Sequence, residues 1–154
     1  MKIFIGSDHA GFELKAKLKK YLEELGNEVF DKGASELVPD DDYPDYIAPV
    51  AMEVSKDPKG ARGIVLGGSG EGEAIMANRF KNVRAAVFYG GTTDIIKLSR
   101  EHNDANVLSL GARFLSDEEA MNAVKLWLST PFSHGERHAR RIEKIETFTT
   151  TDNS

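Results

Sequence analysis

Hydrophobic positions along the chain switch repeatedly between two periods. Residues 3–6 form a short apolar run ending in a glycine turn, the pattern of a buried strand. Residues 12–25 then carry Phe12, Leu14, Leu18, Tyr21, Leu22 and Leu25 at helical spacing, with lysines and glutamates on the opposite face. Gly26 closes that helix as a C-terminal cap. Residues 28–31 read as a second strand, and a polar loop through Asp40, Asp41, Asp42, Tyr43 and Pro44 leads to a helix over 45–55. The pattern continues with strands at 63–66, 84–88 and 106–110 and helices at 71–79, 92–101, 117–128 and 134–147. Short strands alternating with ~10–15-residue helices predict an α/β protein with a five-stranded parallel sheet covered on both faces. No repeat, linker or composition break divides the chain, so 1–148 is expected to be one domain and 149–154 a frayed tail.

Composition narrows the chemistry. The 154 residues contain no cysteine, which removes disulfides, thiol nucleophiles and zinc–cysteine sites. The N-terminus has no signal-peptide core, and no apolar run approaches ~18 residues, so the cytoplasm is the expected address and no membrane partner is expected. A formal charge of −5 argues against nucleic-acid binding. The charge is uneven, however: "HGERHARRIEK" at 134–144 is locally basic, which suits one small anion better than a polymer.

In a parallel sheet ligands gather at the carboxyl ends of the strands. The segment following the third strand, 67–72, reads Gly67-Gly68-Ser69-Gly70-Glu71-Gly72 and opens a helix. Glycines let amides turn inward, and inward amides at a helix start favour an anion. The segment lacks the Gly-Lys-Ser/Thr ending of a P-loop and is one residue too short for the dinucleotide fingerprint. No nucleotide and no other cofactor is therefore expected. A phosphate cradle would not want Glu71 and Glu73 at its mouth, because like charges repel. A cradle for a transient enediolate would: it needs donors on the oxygens and a base beside the carbon losing its proton. Ser69 and the loop amides can donate, and either Glu73 or Glu71 can be the base, unless both are solvated first-turn residues. A helix start lowers a carboxylate's pKa and burial raises it, so the base's ionisation stays open.

Other clusters have a chemical and a plain reading each. Asp8-His9 after the first strand either grips a ligand or caps the helix beyond Gly11. His102, beside Asn103, is either a proton shuttle or an exposed helix-end histidine. Arg137 and Arg141 share a helix face four residues apart. With Arg113, in space or across a dimer, they either fork a phosphate or form a solvated basic face. His134 and His138 have metal-ligand spacing but no H-E-x-x-H pattern, and no metal is expected. Tyr43 either meets the ligand or packs its loop.

"GSDHAGFELK" at 6–15, "DYPDYI" at 42–47, "GGSGEGEAIMANR" at 67–79, "REHNDANVLSLGAR" at 100–113 and "RHARRIE" at 137–143 together resemble the ribose-5-phosphate isomerase B family, which includes galactose-6-phosphate isomerase subunits. The resemblance covers nearly the whole chain. It implies a Rossmann-like three-layer α/β/α sandwich that interconverts ribose 5-phosphate and ribulose 5-phosphate without metal or nucleotide. It also implies a homodimer or dimer of dimers with active sites shared between subunits. By position it implies Asp8 and His9 at the sugar phosphate, an anion hole from Gly68, Gly70, Glu71 and Gly72 with Ser69 assisting, and His102 for ring opening, a step for which Asp8 is the alternative catalytic group. Asn103 matches a substrate contact, and Arg113, Arg137 and Arg141 match phosphate-binding positions. Many family members carry a cysteine base where this chain has Gly67. A second branch uses a glutamate in a GGSG-x-GE context, which Glu73 fits. Two rival functions remain: an isomerase of a six-carbon sugar phosphate such as allose or galactose 6-phosphate, and a non-catalytic phosphosugar-binding module.

Overall fold

Five short runs form the strands; the first, third and fifth are buried nearly throughout, whereas the fourth is partly buried and the second, an edge strand, is mostly exposed. The computed structural model describes residues 1–150, the side chain of residue 150 excepted. The strands are β1 (Lys2–Ser7), β2 (Glu28–Asp31), β3 (Ala61–Gly67), β4 (Ala85–Phe88) and β5 (Val107–Gly111). The helices are α1 (Phe12–Glu24), α2 (Pro44–Lys56), α3 (Glu71–Ala77), α4 (Asp94–Glu101), α5 (Asp117–Ser129) and α6 (Glu136–Thr150). Of the expected frayed tail, residues 149 and 150 finish α6, and 151–154 lie outside the described residues.

The sheet is parallel throughout, in the order β2-β1-β3-β5-β4. One apolar layer joins Ile3, Ile5, Ile64, Leu66, Leu108 and Leu110 to Leu14, Leu18 and Leu22 of α1, Ile96 of α4 and Trp127 of α5. The other joins Phe4, Val65 and Val107 to Ile47, Val50 and Val54 of α2 and Ala77 of α3. The result is the three-layer α/β/α sandwich. From β1 the chain moves out to β2, then returns to β3 on the other side, so the order reverses at the β1–β3 crevice. The carboxyl ends of β1, β3 and β5 lie side by side there, where such sheets bind ligands.

Several boundaries differ from the pattern for local reasons. The helix expected from 71 to 79 stops at Ala77 because the Asn78 amide pairs with the backbone of Ala85, donating at 3.1 Å and accepting at 2.8 Å. The last helix starts at Glu136, not near His134. His134 has φ 58°, which no helix admits, and the Ser133 hydroxyl donates to Glu101 O at 2.6 Å to hold the turn. Lys15 sits within the polar face expected for α1 yet is buried, its Nζ 2.7 Å from both Asp31 Oδ1 and Ala34 O. Helix α5 opens with a capping box: Ser116 Oγ accepts from Glu119 N, and Glu119 returns the bond to the Ser116 amide.

Candidate active site

The loop after β3 is held from both sides. Gly67 O and Gly68 O accept from Ala112 N (2.8 Å) and Arg113 N (3.1 Å), which fastens it to the segment after β5. Gly70 turns with φ 83°, and the Ser109 hydroxyl donates to its carbonyl at 2.6 Å. These bonds set Arg113 over the loop: a Cβ at residue 68 would lie 3.1 Å from Arg113 Nη1. Tyr43, half-buried at the start of α2, lays its ring on Gly72, where a Cβ would lie 2.8 Å from the phenol oxygen. The Ser69 hydroxyl accepts from Glu71 N at 3.3 Å.

The two glutamates at the helix start part company. Glu71 is exposed, whereas Glu73 is 4 % exposed. The Glu73 carboxyl fills the space into which a side chain at residue 67 would project, so Gly67 and Glu73 share one side-chain volume. The opposition between helix start and burial is decided in favour of burial. Burial pushes the Glu73 carboxyl above its ordinary pKa, a backbone hydrogen bond at its own residue offsets part of this, and the nearby Asp8 charge adds to it.

Asp8 follows β1 directly and is buried. Its carboxylate accepts from Ala10 N at 3.0 Å, so it caps the 3-10 turn at 9–11 and not α1 itself. His9 follows, half-exposed. Asp41, from the loop before α2, accepts at one oxygen from both the His9 amide (3.0 Å) and His9 Nδ1 (2.7 Å). That bond, foremost, raises the His9 pKa; partial burial opposes it, Asp8 and the Asp41 charge add to it, and Arg113 lowers it. Asp8, His9 and Asp41 each offer an atom within 4.8 Å of the others, close enough for a metal ion. The His9–Asp41 hydrogen bond accounts for that closeness.

A second cluster lies at the opposite edge of the sheet. His102 and Asn103 precede β5, whereas Arg113 follows it. His102 stacks on His138 of α6 with centroids 4.2 Å apart. Burial lowers the His138 pKa, and His102, Arg137 and Arg141 press it further, so the four groups are neighbours. Two arginines brace this turn. Arg100 Nη1 donates to Asp104 (2.8 Å) and Ala105 O (2.6 Å). Arg84 Nε donates to the Asn103 and Asp104 carbonyls, both at 3.1 Å, while its Nη1 reaches Glu146 of α6 at 2.9 Å.

Asp8, His9, Tyr43, Gly68, Ser69, Gly70, Gly72, Glu73 and Arg113 are thus brought together, and His102, Asn103, Arg137 and Arg141 form a separate group. The 5 residues of β5 alone put roughly 16 Å between them. Two grooves of about 420 and 460 Å3 lie at the second group's edge, and the 67–72 loop lines neither. Asp41, Arg84 and Arg100 escaped the sequence reading. Asp41 is hidden in a run of three aspartates, while Arg100 did carry a signal, its i, i+4 spacing to Asp104.

Residues 3–145 match the ribose/galactose isomerase family model. The chain is 40 % identical over 151 residues to ribose-5-phosphate isomerase B of Mycobacterium tuberculosis, covering 98 % of this chain and 91 % of that one. It superposes on the crystal structure of Mycoplasma genitalium ribose-5-phosphate isomerase B with bound ribulose-5-phosphate at TM-score 0.91 and 38 % identity, covering 96 % and 95 % of the two chains. The Thermotoga maritima ribose 5-phosphate isomerase structure matches at TM-score 0.84 and 45 % identity, over 95 % and 97 %.

Proposed function

The chain belongs to the ribose/galactose isomerase family, and we propose that it interconverts ribose 5-phosphate and ribulose 5-phosphate through a cis-enediolate. The observation that carries this reading is the buried Glu73 carboxyl in the side-chain volume of Gly67, beside the glycine-rich loop. A carboxyl raised by burial is a stronger base once ionised, and the loop supplies donors for the charge it creates. In the open-chain aldose, Glu73 takes the proton from C2. Electrons move onto the carbonyl oxygen as the C1–C2 double bond forms. Ser69 and the amides of Gly68 and Gly70 stabilise the enediolate. Glu73 returns the proton to C1, while the O2 proton passes to O1. Burial, and after it the nearby Asp8 charge, keeps the carboxyl's affinity for the proton high.

The site is completed by a second copy of the chain. Ring opening by His102, contact by Asn103 and phosphate binding by Arg137 and Arg141 all need groups at the far edge of the sheet. In a homodimer or dimer of dimers, the α6 edge of one copy closes over the 67–72 loop of the other, and Arg113 and His9 face the same phosphate from the loop side. Arginine forks match its oxygens. No described helix is long and apolar enough to cross a membrane, and a cytoplasmic location fits a phosphorylated sugar substrate.

The test is incubation with ribose 5-phosphate in D2O with EDTA present, followed by NMR. Ribulose 5-phosphate is the expected product, with deuterium at C1 wherever the proton held by Glu73 exchanges with solvent before its return. No conversion of ribose 5-phosphate, with turnover of allose or galactose 6-phosphate, would move the reaction to six carbons. Binding without any C2 exchange or product would leave a phosphosugar-binding module.

A further inference from the structure

We infer that Asp41 is a positioning residue that acts through His9: it engages Nδ1 of the imidazole and leaves the Nε2–H as a cationic donor for the substrate phosphate. The inference rests on the reading that His9 faces that phosphate.

Three observations carry it. The Asp41 side chain is 5 % exposed, yet its Oδ2 has no hydrogen-bond partner among the described residues. Burying a half-satisfied carboxylate is costly, so its placement needs a reason beyond holding the loop. Second, Asp41 Oδ1 grips His9 at two points, backbone amide and ring Nδ1, at 3.0 and 2.7 Å. A two-point grip fixes both the turn and the ring, and a 2.7 Å N···O contact is the length of a charge-assisted bond. Third, the surroundings are acidic. Asp41, Asp42 and Asp45 all press on Tyr46, whose hydroxyl is held above its ordinary pKa first by burial and then by these charges. An imidazolium at His9 is the compensating cation that touches Asp41.

The groups facing His9 are Asp8 from the end of β1, Asp41 from the loop before α2 and Arg113 from beyond β5. The carboxylates favour the charged ring, and Arg113 opposes it. Arg113 also stands over the glycine loop beside Gly68, so it marks the direction from which an anion would be shared with His9. Bound phosphate would add a further negative charge beside the ring and strengthen the imidazolium.

Asp41→Asn keeps the shape and an acceptor for the His9 amide but removes the charge. A purely structural Asp41 would leave His9 titration unmoved by this change. The His9 ring signal is therefore followed by NMR from about pH 5 to 9 in the free wild type and in Asp41→Asn, with inorganic phosphate affinity and KM read across the same range. In the wild type, His9 is expected to titrate above the ordinary histidine value; in Asp41→Asn it falls below its wild-type position. At about pH 8 the variant loses roughly tenfold in phosphate affinity and its KM rises to match, whereas near pH 5 both converge with wild type because His9 is charged in each. The inference is overturned if His9 titrates alike in the two proteins, or if the affinity loss is the same at every pH. Should Asp41→Asn fail to fold, a wild-type His9 titrating at or below the ordinary value overturns it as well. The titration and phosphate arms use no sugar. An absence of isomerisation would therefore refute the proposed reaction while those arms still decide the role of Asp41.

Discussion

Replacing Gly67 by alanine puts one methyl group into the space the Glu73 carboxyl occupies. Gly67 is not among the residues with positive φ, so alanine meets no backbone strain there and the effect is steric alone. The new Cβ would lie 2.5 Å from Glu73 Oε2, with the other carboxyl atoms nearer still. Ordinary contact is about 3.5 Å, so Oε2 must retreat on the order of 1 Å and the rest of the carboxyl further. A displacement of that size in a proton-transfer group costs about 10²-fold in rate, equivalent to ~2.7 kcal/mol of barrier. The stability loss belongs at the low end of the overpacking range, ~1 kcal/mol, because the carboxyl can swing out of the crowded space. Steady-state kinetics on ribose 5-phosphate and a denaturant melt measure the two effects. In a Glu73→Gln background the alanine should cost little further rate, since both changes act on one group. If Gly67→Ala keeps kcat within about twofold of wild type while Glu73→Gln abolishes it, the shared-volume argument is wrong.

Further outcomes follow from the same geometry. Glu73→Gln should abolish turnover while raising thermal stability at about pH 8. A carboxyl with a raised folded pKa carries no burial penalty below its unfolded value and the full penalty once pH exceeds the folded one, so the gain should fade near about pH 4. Replacing Arg137 or Arg141 by alanine should raise KM by roughly 10- to 100-fold, the size of a lost hydrogen bond to a charged group, with a smaller change in kcat. Ser116→Ala breaks the capping box of α5 and should cost about 1 kcal/mol in a denaturant melt without changing KM or kcat.

Much of this was legible before any coordinates. The switch between apolar runs and helical spacing predicts the α/β sandwich, because the central strands β1, β3 and β5 have mostly buried positions and each helix between strands presents an apolar face to the sheet. The loop at 67–72 is legible too, since its glycines and carboxylates conflict unless charge develops there. Even the separation of the two clusters is implicit. In a parallel sheet, residues before and after one strand lie at opposite edges, so His102-Asn103 and Arg113 could not meet within one chain. The strand order was not legible, because it depends on pairing between distant segments. The family resemblance favours Glu73 over Glu71, but the residues by themselves leave both open, because the choice turns on α3 facing one residue inward and the other to solvent. Lys15 looked like one more solvent-facing lysine until Asp31 and Ala34 were brought to it by the β1–β2 pairing. Asp41 was one of three adjacent aspartates, and only the path of the loop selects it.

The proposed reaction needs a site assembled from two copies of the chain, with Glu73 supplied by one and the arginines of α6 by the other. Co-expression of differently tagged Glu73→Gln and Arg137→Ala/Arg141→Ala chains, with purification of the mixed pairs, tests this directly. Each mixed pair would hold one site with every native group and one with both defects, so the predicted kcat per pair is about half that of wild type, at wild-type KM. Mixed pairs that turn over only with the raised KM of the arginine variant would contradict this, since Glu73 and the arginines would then serve the same site from the same chain or no common site at all.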